Sequence, residues 1–127
     1  MKYFFLSLFI FISLYAEAQQ EINLKDVKNH VGDSVTIRAT IYGGKYFELI
    51  KGSPTFLNVG AAYPKAPITL LIWGETRSQF KIPPEEYYQM RQEFISGKIV
   101  LYNGKPEIII NSTYQLKDVT AAPIPRQ

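Results

Sequence analysis

The sequence predicts a mostly β domain with short helices, built as a small five-stranded barrel. Three observations carry this prediction. Several short segments alternate between apolar and polar residues or are rich in β-prone residues. An Asn103-Gly104 pair separates the last two of these segments. A helical pattern that begins with proline lies between the third and the fourth segment. We expect one core, because a chain of 127 residues is too short to divide its apolar residues between two stable cores.

The first 18 residues have the pattern of an export signal. One lysine precedes a 13-residue, largely apolar run from Tyr3 to Tyr15, and the small residues Ala16 and Ala18 follow. This run is too short to cross about 30 Å of hydrocarbon as a helix, and it matches the apolar core of a signal peptide. We therefore expect residues 1–18 to be removed, an exported protein that is periplasmic or secreted, and no membrane span after cleavage.

The next part of the chain predicts a short helix and two strands. The segment Asn23 to Gly32 opens with an N-cap residue and ends at a glycine, which predicts an N-terminal helix. Ser34 to Tyr42 alternates between apolar and polar residues and predicts a half-buried strand. A bend or bulge is expected at Gly43-Gly44, and Phe56 to Val59 predicts the second strand.

The second half predicts a strand, a helix and a hairpin. The nearly continuous apolar segment Ile68 to Trp73 predicts a central strand. The segment from Pro83 carries proline and acidic residues in a first turn and apolar residues at helical spacing up to Phe94, which predicts a helix that Gly97 ends. The segments on either side of Asn103-Gly104 predict a hairpin, since both turn residues accept positive φ.

Three strands, a helix and a two-stranded hairpin form the element order of the OB fold. The stretches His30–Arg38, Phe56–Gly60 and Gly97–Ile110 also resemble small bacterial OB-fold proteins of the nucleic-acid-binding type. This resemblance covers Leu24–Val119 and implies an OB-fold barrel with a helix between strands 3 and 4. The sequence departs from the family pattern at Thr40, where a glycine is usual.

These patterns place an OB-fold domain over residues 22–119. The remaining residues, 120–127, contain two prolines and no apolar periodicity, so we expect a disordered tail.

The candidate ligand-binding residues share an outward position on the first three strands or lie in the adjoining loop: Arg38, Thr40, Phe56, Asn58, Tyr63, Thr69 and Trp73. Aromatic rings on such a surface stack on bases or sugar rings beside a cationic side chain. Tyr46 and Phe47, after the glycine pair, are further candidates in a ligand-flanking loop. Structural packing of the same aromatic residues is the alternative interpretation.

Charge and composition narrow the classes of function. A net charge of +3 favours a polyanionic ligand, although the basic residues, Lys45 and Arg77 among them, stand singly as solvated surface residues usually do. The chain has no cysteine and a single histidine, His30, which excludes disulfides and zinc sites built from several His or Cys ligands. No motif for a nucleophile, a P-loop or a calcium site occurs, so we expect no enzyme activity, metal or cofactor.

Two functions from different classes remain open. The first is an exported OB-fold module that binds single-stranded nucleic acid or a similar polyanion. The second is an envelope module whose same surface binds a protein, a glycan or a small molecule.

Overall fold

The computed structural model describes residues 20–120 of the chain. Within this range, segments whose residues alternate between the core and the outer surface form seven strands. The strands are β1 (Gln20–Ile22), β2 (Ser34–Tyr46), β3 (Thr55–Val59), β4 (Ile68–Ile72), β5 (Arg91–Tyr102), β6 (Lys105–Ile109) and β7 (Leu116–Asp118). The helical segments are two 3-10 helices, Leu24–His30 and Thr113–Gln115, and two one-turn α-helices, α1 (Gly74–Arg77) and α2 (Pro84–Tyr87). The predicted signal segment, residues 1–18, and positions 121–127 of the predicted tail lie outside the described residues.

Five of these strands close into a barrel. β2 pairs antiparallel with β3, β3 antiparallel with β4, β4 parallel with β6, β6 antiparallel with β5, and β5 returns antiparallel to β2. β1 adds to β2 in parallel, and β7 adds to β5 in the antiparallel direction. The closed five-strand order is compatible with an OB-fold-like barrel.

The interior of the barrel is filled by the side chains that strand alternation places inward. Val35, Ile37 and Ile41 of β2 are fully buried, as are Leu57 and Val59 of β3. The apolar residues that alternate with the predicted outward residues Arg38, Thr40, Phe56 and Asn58 therefore point into the core, as this alternation predicts. Removing these apolar side chains from water is the main contribution to the stability of such a core.

The predicted hairpin is also confirmed. β5 and β6 are joined by Asn103 and Gly104, whose φ angles are 50° and 76°, and Tyr102 pairs with Lys105 across the turn. A two-residue turn with positive φ at both positions matches the twist of the strands that it connects.

The predicted helix, from Pro83 until Gly97, is wrong beyond its first turn. α2 ends at Tyr87, and β5 begins at Arg91 and pairs along its first half with β2. The inward position of Glu93 hid the period-two alternation of this segment, and pairing with a distant strand outweighed its local helical spacing. The connection from β4 to β5 therefore holds α1 and α2 instead of one longer helix.

Two strands end at other residues than predicted. β2 continues past an irregularity between Ile41 and Gly43 and ends at Tyr46, because the glycine pair bends the strand without ending it. β4 ends at Ile72, and Trp73 becomes the residue that precedes α1.

Candidate functional site

Four of the predicted site residues meet on the outer surface of β3 and β4. Asn58 pairs with Thr69 and Phe56 with Leu71, and Trp73 follows at the end of β4. Phe56, Asn58 and Thr69 are half-buried, and Trp73 is exposed. We call Phe56, Asn58, Thr69 and Trp73, four residues in all, the β3–β4 face. It presents two aromatic rings, an amide and a hydroxyl on adjacent strands.

A cation of β2 and an aromatic ring directly after the end of β2 border this face. Lys45 pairs with Phe56, and the ring of Phe47 stands edge-on to the ring of Phe56 with 5.9 Å between centroids. The Lys45 ammonium lies 5.2 Å from the Phe47 ring centroid, which is a favourable cation–π contact. As a single basic residue in the sequence, Lys45 is expected to be a solvated surface residue. The period-two spacing of residues 45 and 47 was the signal that would have placed both on this side of the strand.

The indole of Trp73 lies against the main chain of the loop after β2. The indole packs directly against Gly52, since a Cβ atom at this position would lie only 2.8 Å from two carbons of the ring. The Gly74 N–H donates to the Gly52 carbonyl at 2.9 Å, and the Phe47 N–H donates to the Pro54 carbonyl at 2.9 Å. The loop therefore supports Trp73 on one side, while 41% of the residue stays exposed.

The structure does not place Arg38 and Thr40 on the β3–β4 face. Both lie in the first half of β2, which pairs with β5, and Arg38 stands opposite Phe94. β2 reaches β3 only from Ile41 onward. The expected single surface with Arg38 beside Trp73 is therefore not formed, because closing the barrel gives the two halves of β2 different partners.

Tyr63 lies at the opposite end of the two strands from Trp73. It belongs to the loop that joins β3 to β4, beyond the last register pair, Val59 and Ile68. The residue is 80% exposed. Tyr63 is therefore accessible, but it borders the other end of the barrel.

One carboxylate lies next to the candidate face. Glu107 of β6 pairs with Thr69 of β4 and is buried. Burial raises the pKa of Glu107 because a charged carboxylate is disfavoured away from water. When this group is charged, it opposes an anionic ligand on the neighbouring strands.

A second buried acid lies near the start of β5. Glu93 is 2% exposed and its Oε2 atom has no hydrogen-bond partner. Burial, and then the charge of Asp118, raise the pKa of Glu93. Burial together with the nearby Glu93 raises the pKa of Tyr88 to about 12. Tyr88 also lines a pocket of about 340 Å³ with Phe80 and Lys81.

Arg77 holds the two short α-helices together. Its Nη2 donates to Glu85 Oε1 at 2.6 Å, and its guanidinium carbon lies 3.6 Å from the ring centroid of Tyr46. The hydrogen bond to Glu85 raises the pKa of Arg77. Sequence patterns alone indicate a solvated cation at Arg77, because its partner Glu85 lies eight residues away, beyond the reach of local spacing rules.

Residues 20–120 contain no grouping of three or more His, Cys, Asp or Glu side chains that could hold a metal ion. His30 lies at the end of the first 3-10 helix with its Nδ1 atom 3.1 Å from Asp33 Oδ2. Within the same residues, no helix combines the length and the apolar composition needed to cross a bilayer.

Comparisons of the chain with models of protein families, with curated proteins and with solved structures gave no match.

Proposed function

We propose that this chain is an exported, non-enzymatic OB-fold module that binds single-stranded nucleic acid, or a similar extended polyanion, on the β3–β4 face. The observation that carries the proposal is the placement of Phe56 and Trp73 beside Asn58, Thr69 and the flanking cation Lys45. The closed five-strand order supports the OB-fold assignment, and the apolar N-terminal run of the sequence supports export.

Each side chain of the face has a part in this proposal. The rings of Phe56 and Trp73 stack on bases or sugars, which every base permits because each has a π face. Lys45 neutralises a backbone phosphate. Asn58 Nδ2 donates to the Gly43 carbonyl at a long 3.5 Å, so the amide retains capacity to bond the edge of a base.

Trp73 is the only tryptophan of the chain, so its fluorescence reports directly on the proposed site. We expect an oligothymidylate of eight nucleotides to quench this fluorescence at low ionic strength. The affinity is expected to fall as salt rises, because counterions released from the phosphates drive part of the binding. Absence of any quenching or other binding signal at low salt would contradict the proposal.

Phe56→Ala tests the stacking role itself. Loss of one stacked base costs about 1–3 kcal/mol, or roughly 5-fold to 150-fold in affinity. The matched control is Tyr114→Ala, since Tyr114 is 81% exposed on the second 3-10 helix and outside the face. Affinities are measured by anisotropy of a labelled oligonucleotide. An equal affinity of the two variants would refute stacking at Phe56.

A protein, glycan or small-molecule partner in the envelope is the second candidate, and one observation favours it. Leu49 is 99% exposed and Ile50 is also exposed, in a loop that its own hydrogen bonds hold in place. Apolar side chains held in solvent are typical of interaction surfaces. Capture from an envelope extract with the native chain and with Leu49→Asp tests this function. A protein enriched only by the native chain supports it, and capture of nucleic acid alone contradicts it.

A further inference from the structure

A second basic and aromatic surface lies where β2, β5 and β7 run side by side. Arg38 pairs with Phe94, and Phe94 pairs with Lys117. A cation, an aromatic ring and a second cation therefore lie side by side on the outer surface of three neighbouring strands. We call these three residues the Arg38 row. The Arg38 guanidinium carbon lies 5.9 Å from the Phe94 ring centroid. Arg38 and Lys117 are exposed, and Phe94 is half-buried.

The two cations of the Arg38 row stand apart from the ion pairs found among the described residues. Within residues 20–120 neither Arg38 nor Lys117 forms an ion pair. Asp118, the next residue on β7, lies 3.8 Å from Arg91 and accepts hydrogen bonds from Thr120. An aromatic ring between two unpaired cations fits a ligand that alternates flat rings with negative charges, as single-stranded nucleic acid does.

β2 connects the Arg38 row to the β3–β4 face. Arg38 lies in the half that pairs with β5, and Lys45 lies in the half that pairs with β3. Between them Tyr42 is exposed at the point where the register shifts. At about 3.3 Å per residue, these two positions are separated by roughly 23 Å along the strand. The outer side of β2 thus carries a cation in each half and an aromatic ring between them.

We infer that a single strand bound at the β3–β4 face continues along β2 and is held a second time by the Arg38 row. This inference rests on the proposed function and adds to it a ligand path and a ligand length. OB folds occupy about 4 to 16 nucleotides, depending on the protein and its binding mode. A ligand of four nucleotides is expected to fill the face alone, and one of 16 to reach the second surface.

The test compares oligothymidylates of four and of 16 nucleotides, titrated into the protein and followed by anisotropy of the labelled strand. The variant is the double substitution Arg38→Ala with Lys117→Ala. The control removes two exposed cations from the first 3-10 helix, Lys25→Ala with Lys28→Ala. Urea unfolding midpoints verify that both double variants are folded.

The inference predicts that the Arg38 double variant binds 16 nucleotides more weakly than the control does, while both bind four nucleotides equally. The slope of log affinity against log salt for 16 nucleotides should become shallower by about 1.4, because each lost phosphate contact to a single strand removes about 0.7. An unchanged affinity and slope for the long strand would overturn the second surface, as would an equal loss in the control. Either result would leave the proposed function intact. Failure of the native protein to bind either length would contradict both the inference and the proposed function.

Discussion

Gly52→Ala tests how the loop after β2 positions Trp73. Gly52 has a φ of +81°, and a Cβ at this position would lie 2.8 Å from ring carbons Cε3 and Cζ3 of Trp73. Gly104 has a similar φ of +76°, but its Cβ would meet nothing within 4 Å. The two alanine variants therefore share the same kind of backbone strain, and only Gly52→Ala adds a contact with the indole.

The expected cost follows from these two contributions. A Cβ in the left-handed region costs about 1–2 kcal/mol in either variant. At Gly52 the indole must also retreat by about 0.7 Å to reach an ordinary carbon–carbon separation of about 3.5 Å. Overpacking of this kind costs about 1–3 kcal/mol. We expect a cost of about 1 kcal/mol here, because Trp73 is partly exposed and can move toward solvent. We expect Gly52→Ala to lose about 1 kcal/mol more than Gly104→Ala.

Urea unfolding followed by circular dichroism measures the two free energies, and the emission spectrum of the single tryptophan measures its surroundings. Gly52→Ala should shift the emission of Trp73, and Gly104→Ala should leave it in place. Equal free energies of unfolding for the two variants, together with identical emission spectra, would refute the contact between Gly52 and the indole.

The buried polar groups of the barrel give two more predictions. The pKa of Glu93 is raised above 4.5, so the folded protein keeps this proton to higher pH than the unfolded chain and loses stability as pH rises above about 4.5 toward the folded pKa. Glu93→Gln should remove that loss and stabilise the protein at pH 7 by on the order of 1 kcal/mol. If the free energies of unfolding of the native protein and of the variant followed the same pH dependence from pH 4 to 8, this prediction would be contradicted. Arg77→Ala leaves the half-buried Glu85 without its partner and should cost about 1–3 kcal/mol, whereas loss of the exposed Arg91 should cost at most about 1 kcal/mol. Thermal unfolding compares these two variants, and an equal loss from both would show that Arg77 does not hold the helices together.

Local patterns were sufficient to predict the parts of the fold that depend on neighbours in sequence. Alternation placed Ile37 and Leu57 inward, and the Asn103-Gly104 pair predicted the hairpin, because each signal lies within a few residues. The start of β5 was mispredicted because Glu93 interrupts its apolar alternation and because its partner strand is distant in the chain.

The difference between local patterns and pairing of distant strands also explains which residues of the candidate site could be predicted. Phe56 and Asn58 could be assigned to one outer surface with Thr69, since alternation on two successive strands fixes which side chains point outward. Arg38 was assigned to that surface as well, because its real neighbour, Phe94, belongs to a segment that was predicted as helix. Only the pairing of β2 with β5 separates the Arg38 row from the β3–β4 face.

The most direct test of the central claim is an amide chemical-shift titration of the isotopically labelled protein with an eight-nucleotide oligothymidylate at low salt. Binding on the proposed surface predicts the largest shifts at Lys45, Phe56, Asn58 and Thr69, with the indole N–H of Trp73 moving in step. A spectrum that does not change, or one whose shifts are confined to the pocket beside Tyr88, would contradict nucleic-acid binding on the β3–β4 face.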